Sequence, residues 1–324
     1  MLKQIIFYTF AFIAIESVVF WRDTCDNFKL KITRLLDFLA WSAVLICIAQ
    51  TIFNFDLPST WGYRQYGYST AFFYTPNDLA LFLCSYLIVT LFDQRPIWIK
   101  WVTIVAIFSI NSMNGSRAGI IVCLLVFSIW SSTGIVKKIS DRPILISFSF
   151  LFILLLSAIS LAYIINHGDF SFVIETMVRI FTNDPFRLPG SVYDRADALI
   201  FCLNEMRSAW WMGLGPSGSV HVLAQPEYNA FTAQSLHNAI PELSFDLGPV
   251  FYIPFLIWYV FYFFKYMFGK NPTMADIARF SFLISLPFMS IIQSAGFISN
   301  YGFWVAATFV WLRCDSEADT ARTY

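Results

Sequence analysis

Apolar runs of roughly 17 to 26 residues recur along most of this chain, each about the length that a helix needs to cross a hydrocarbon core ~30 Å thick. No other feature limits the fold so sharply. Inside a bilayer no water satisfies backbone N–H and C=O groups, so spanning segments become helices and irregular structure is confined to protein-lined cavities. The runs fall at residues 4–21, 35–54, 77–93, 97–113, 117–136, 143–165, 243–268, 277–293 and 296–313. The expected fold is therefore all-α, a single membrane domain over residues 1–324 with about nine transmembrane helices. A tight polar turn between the last two runs leaves a re-entrant pair as an alternative. Composition agrees: 13% of residues are charged and 58% hydrophobic, against about 25% charged in a soluble domain.

The same composition excludes several functions. Net charge is zero and no basic run occurs, so nucleic acid is not an expected partner. Cys47, Cys84 and Cys123 fall inside apolar runs, Cys25 and Cys314 in polar flanks, and Cys202 alone in a long polar stretch. That pattern supports neither a disulfide framework nor a cysteine-based zinc site. With only His167, His221 and His237 available, a polyhistidine metal centre is not expected either, and no metal or other cofactor is assigned.

Residues 166–241 interrupt the apolar pattern with one large polar loop. If the face carrying it is face A, basic residues on the opposite face B outnumber those on face A two to one, and most of the face-A arginines sit in the long loop itself. Short loops rich in Lys and Arg stay cytoplasmic, so face A is expected outside, facing the periplasm or the extracellular medium. The first run ends in Val-Val-Phe-Trp-Arg without a small-residue cleavage site and does not read as a cleaved signal peptide. Within the loop, residues 170–183 have the apolar spacing of an interfacial helix, and 192–211 read as a second helix. Arg195, Leu199, Cys202 and Met206 share one face of that second helix. The run Gly213-Leu214-Gly215-Pro216-Ser217-Gly218 is expected to break it.

Three residues stand out for chemistry. Arg117 begins the fifth run, Arg195 lies in the loop, and His237 stands where the loop returns to the membrane in Ser235-Leu236-His237-Asn238-Ala239-Ile240-Pro241-Glu242. Each has an ordinary explanation: an arginine that snorkels to the headgroups, a solvated ion pair with Asp194, a packed or capping histidine. Topology nonetheless brings all three to face A. Two guanidiniums can hold a diphosphate bidentately, and a histidine can take a hydroxyl proton near neutral pH. That set suits transfer of a group away from a lipid diphosphate. Arg64 is a candidate third phosphate contact. Trp61, Tyr63, Tyr66 and Tyr68 could stack on sugars, although an interfacial aromatic belt is the commoner explanation. Asp194 and Asp197 more naturally cap and solvate a helix than bind metal. Glu16 inside the first run is a functional candidate by its position alone.

Four segments resemble the O-antigen ligase and O-antigen polymerase superfamily, membrane glycosyltransferases of the GT-C type. They are the aromatic entry to a span from Tyr66 through Pro76-Asn77-Asp78, the Ser116-Arg117-Ala118-Gly119 motif, the Arg195-led helix with its Gly213-Leu214-Gly215-Pro216 turn, and His237-Asn238 with Glu242 and Gly248 behind it. The resemblance covers roughly residues 60–260 and implies a GT-C-like arrangement with the long loop on the periplasmic side of a bacterial cytoplasmic membrane. It implies a metal-independent, inverting transfer of a glycan from undecaprenyl diphosphate to an acceptor hydroxyl. Arg117 and Arg195 would then hold the diphosphate, and His237 would be the base or orient the acceptor. Arg64, Asn238, Glu242, Tyr68 and Asn77 would line the substrate site. The implied partners are the undecaprenyl-diphosphate-linked oligosaccharide, an acceptor glycan or a lipid A core, the bilayer, and other polysaccharide-assembly proteins.

The chain departs from that family in having fewer spans than the usual dozen or so, and in placing Pro241 where many relatives are aromatic or leucine-rich. Whether the acceptor is another repeat unit (a polymerase) or lipid A core (a ligase) stays open; the absence of any core-specific feature favours the polymerase. A polysaccharide flippase or other transporter is the competing class, disfavoured because polar residues gather on one face and no internal repeat is visible. A non-catalytic assembly protein is a further alternative.

Overall fold

The computed structural model describes residues 2–25, 27–55, 57, 68–73, 75–136, 143–144, 146–148, 191–215, 218–224, 238–292 and 300–321. Among them the protein is all-helical. The helices are α1 (Leu2–Thr24), α2 (Phe28–Phe53), α3 (Pro76–Leu91), α4 (Ile97–Met113), α5 (Arg117–Val136), α6 (Ser191–Ser208), α7 (Gly218–Leu223), α8 (Ala239–Leu247), α9 (Pro249–Met267), α10 (Met274–Ile292) and α11 (Tyr301–Ala321). Three of them, α2, α9 and α10, are long and apolar enough to cross a membrane, and shorter apolar helices fill α3, α4, Ala118–Thr133 and Tyr301–Leu312. Large side chains such as Leu45, Ile52, Val105, Ile257 and Phe261 lie exposed on the outside. A surface of that kind suits hydrocarbon, not water, and the protein is membrane-embedded.

α3 is the hub. Every residue of α3 except Asn77 is buried, and α2, α4, α5, α10 and α11 all pack around it. Its start is fixed locally. Thr75 accepts from the Asp78 N–H, Asp78 accepts from the Thr75 N–H, and Pro76 opens the helix where no N–H is needed. Ser85 spends its hydroxyl on the Leu81 carbonyl of its own helix, so it carries no unmet polar group into the core.

Proline punctuates the second half of the bundle. Pro287 lies inside α10 and cannot donate to the Leu283 carbonyl; the Tyr259 hydroxyl of α9 donates to that carbonyl instead, at 3.2 Å. Pro254 falls in the second turn of α9 and cannot donate to the carbonyl of the exposed Val250 four residues back. At the face-B end, Trp311 packs against Trp258 and Tyr262 with ring centroids 5.3 and 5.1 Å apart. Arg279 closes the cluster, bonding the Tyr266 hydroxyl at 2.7 Å and the Trp311 carbonyl at 3.0 Å. On the same face Arg95 joins Asp37 at 2.7 Å and Asp93 at 3.2 Å, tying α2 to the α3–α4 turn. Burial opposes the charge on Arg95, but the bond to Asp37 and the surrounding acids hold its proton more firmly than usual.

Two expectations need correction. The run at 243–268 is not one helix. Gly248 (φ 59°, ψ −144°) breaks it, leaving α8 as a separate short helix and starting the span at Pro249. The loop helix expected over 192–211 stops at Ser208, where Trp210 and Trp211 adopt positive φ ahead of the glycine run. The expected helix at 170–183 and most of the run at 143–165 lie outside the described residues.

Candidate functional site

The polar contacts between loops converge on one end of the bundle, where α2, α4 and α10 end and α3, α5 and α11 begin. Asn114 reaches across to the segment before α3: its Oδ1 accepts from the Ser69 N–H at 2.9 Å, and its Nδ2 donates to the Ser69 carbonyl at 2.7 Å. Gln50, at the end of α2, accepts from the Ala71 N–H at 2.9 Å. Asn300 donates to the Asp78 carbonyl at 2.7 Å and caps α11 by accepting from the Phe303 N–H at 3.0 Å. Three helix N-termini are thereby fixed side by side, each carrying the positive end of its dipole.

Arg117 is the first residue of α5, directly after this anchored corner. Gly119, two residues on, has a steric reason. A Cβ there would meet Asn111 Oδ1 at 2.6 Å and Ser116 Oγ at 2.8 Å, so any larger residue would force the fully buried Asn111 or Ser116 side chain to shift. Tyr68 stands beside the corner and is 38% exposed. Asn77 is half-buried in the first turn of α3. The side chain of Arg117 is outside the description, as are Trp61, Tyr63, Arg64 and Tyr66 altogether.

The second cluster is built on α6, α7 and α8. Ala198, Cys202 and Met206 on one face of α6 are buried against Leu223 and Phe245, and Leu199 packs beside them, as the helical spacing predicts. The Leu214 N–H donates to the Phe245 carbonyl at 2.6 Å, and Gly213 and Gly248 touch through their backbones. The turn that follows α6 thus lies against the end of α8. Cys202, further back on α6, feels the charges of Asp246 and Glu242 on α8. Burial first, then Asp246, Glu242 and Glu205, push that thiol up to about 12. Position 195 lies two turns before Cys202, about 10 Å back along α6, and Asn238 lies one turn before Glu242, at the start of α8. The side chains of Asp194, Arg195 and Asp197 lie outside the description, as does His237.

Glu242 and Asp246 are 2% and 3% exposed on one face of α8. Asp246 accepts from the Ser219 N–H at 3.0 Å and the Ser219 hydroxyl at 2.7 Å, which pins α7 onto α8. Asn238 accepts from the Ser290 hydroxyl at 2.8 Å, which fixes the start of α8 near the end of α10. From that point an apolar cleft of about 530 Å³ descends between α9 and α11 over α10. Its wall begins at Ala239, Ile240 and Leu243 on α8 and continues past Phe251, Phe255 and Trp304 to Trp258 and Trp311.

Sequence reasoning missed Ser290, Ser219 and Asp246. Ser290 carries no signal, being one serine in an apolar helix. Asn300 was findable, because an asparagine just before an apolar run is a common helix cap. Among the described residues no group of three or more His, Cys, Asp or Glu could hold a metal ion. No family model matches the chain, and no curated protein matches it.

Proposed function

We propose that this protein transfers a glycan from undecaprenyl diphosphate to an acceptor hydroxyl at the outer face of a bacterial cytoplasmic membrane, within a GT-C-like bundle of about nine spans. The observation that carries the reading is the cleft. The apolar cleft reaches Ala239, the residue directly after Asn238 and two after His237 in sequence, so a substrate with a hydrocarbon tail in the cleft could present its polar end to that segment. A lipid-linked donor has that character.

In this reading Arg117 and Arg195 hold the diphosphate, aided by the helix N-termini gathered at the Asn114 corner. His237 accepts the proton of the acceptor hydroxyl as its oxygen attacks the anomeric carbon. The bond from that carbon to the diphosphate oxygen breaks, and the electron pair leaves on undecaprenyl diphosphate, where the guanidiniums stabilise the growing charge. Asn238 and Ser290 set the position of the segment that carries the histidine. Repeat-unit polymerisation is favoured over ligation to lipid A core, since nothing in the chain is specific to a core.

The test is a strain lacking the native protein that expresses His237→Ala, Arg117→Ala or Arg195→Ala, with surface glycan resolved on gels. Each variant should insert at wild-type level and leave single repeat units or uncapped core, with His237→Ala slowed about 100- to 10,000-fold. Wild-type ladders from all three would overturn the assignment. Purified lipid-linked donor offered with each acceptor then separates polymerase from ligase.

A further inference from the structure

Among the described residues, α1 carries a face that no other helix covers. It packs along α11 through Ala11 and Val18, which are 6% and 3% exposed. Diametrically opposite run Thr9, Ile13, Glu16 and Phe20, at steps of four, three and four residues. That is the a/d spacing of a helix-pairing seam. Glu16 and Ser17 are exposed on it, and with Phe12, Ile13, Phe20 and Trp21 they line a shallow groove of about 390 Å³.

Glu16 is the difficulty that this face poses. It lies six residues inside the Arg22–Asp23 ion pair, about 9 Å along the helix, on a face whose other large side chains, Ile13 and Phe20, are exposed and suited to lipid tails. An acid at that depth is costly, and such residues almost always face protein or a water-filled cavity.

We infer that α1 pairs with α1 of a second copy of this chain, with Glu16 as the central hydrogen-bonded knob of the seam. The bilayer gives both copies the same orientation, so the pairing is parallel. In a parallel pair a knob at this register enters a hole formed by the partner helix at positions 13, 16, 17 and 20. That hole is the groove just described, and it supplies what Glu16 lacks: the hydroxyl of position 17 can donate to the incoming carboxyl group. The two-fold arrangement repeats the bond in reverse, so one surface satisfies both acids. Such bonds hold helices together in lipid, where apolar burial gives little drive. The inference is independent of the glycan-transfer reading.

The test uses the full chain in lipid nanodiscs and membranes, with Cys25 and Cys314 replaced by serine. Mild oxidation should give a double-mass product from Ile13→Cys, on the seam, and none from Trp21→Cys, exposed but off it. Two differently tagged copies should co-purify, Glu16→Leu should lower that association about tenfold, and Glu16→Gln should retain it because an amide both donates and accepts. Equal cross-linking at positions 13 and 21, a wild-type protein present as single copies, undiminished association in Glu16→Leu, or Glu16-dependent capture of a different polypeptide with no second copy would each overturn it.

Discussion

The Ser290 hydroxyl donates to Asn238 Oδ1 at 2.8 Å, linking the residue after His237 to a helix 52 positions further along the chain. That bond is one connection between the candidate catalytic segment and the membrane core, beside the packing of Ala239 and Ile240 into the same core. The same hydroxyl lies 2.7 Å from the Pro287 carbonyl one turn back in α10, a contact that limits where it can stand.

If this contact positions the catalytic segment, Ser290→Ala and Asn238→Ala should each slow transfer, and the double variant should be no worse than the poorer single one. A coupling of about 0.5–3 kcal/mol is the range for residues in direct contact. Single-turnover rates with lipid-linked donor in a double-mutant cycle give the value. Strict additivity would show that Asn238 acts independently of Ser290.

Asn114→Leu removes both bonds to Ser69 and leaves a buried N–H and C=O without that partner. The expected loss is about 2–6 kcal/mol, from a penalty of about 1–3 kcal/mol for each of the two buried groups left unsatisfied. Thermal unfolding in detergent measures it. Asn114→Asp keeps one acceptor and should lie between the two. An unchanged midpoint in Asn114→Leu would show that the corner is held elsewhere.

Much of the bundle is legible in the sequence because membrane helices announce themselves by length. The boundaries expected for α3, α4 and α5 fall within two residues of those found, since Thr75-Pro76, Pro96 and Ser116 punctuate them. The α8–α9 break was not legible. Residues 243–268 are apolar enough to pass for one span, and the conformation of Gly248 is imposed by its contact with Gly213, 35 positions away. The same holds for the site. Hydropathy and topology place Arg117 and Asn238 at one end, but the contacts that fix the starts of α5 and α8 involve Ser69, Asn114 and Ser290, small polar residues that carry no periodic signal. Tertiary contacts of this kind are written in pairs, and a single sequence does not show the pairing.

Cys202 offers a pH test of the α6–α8 packing. Its pKa in the folded protein, about 12, lies above the ordinary value of 9.0. The stability it contributes is therefore full below about pH 9 and is lost as pH rises toward 12. Native protein should resist maleimide at position 202 at pH 8 and become labelled as α6 lifts from α8 at high pH. Cys202→Ala should remove that part of the alkaline transition. Rapid labelling of Cys202 at pH 8 would contradict the burial on which the α6–α8 register rests.

Two glycines with almost the same φ separate strain from collision. Gly115 has φ +62° with no atom within 4 Å of an added Cβ, so Gly115→Ala should cost only the left-handed penalty, about 1–2 kcal/mol. Gly248 has φ +59° with ψ −144°, close to a region that essentially only glycine occupies, and its Cβ would run into the Met212 carbonyl and reach the Gly213 nitrogen at 2.8 Å. Both neighbours are backbone and cannot rotate away. Gly248→Ala should therefore push α6 off α8, cost about 3–5 kcal/mol, and abolish transfer even though position 248 touches no substrate. Hydrogen exchange should show the loss confined to α6, α7 and α8 while α3 stays protected. Equal exchange behaviour in the Gly115→Ala and Gly248→Ala proteins would mean that the Gly213–Gly248 contact does not hold the loop to the membrane core.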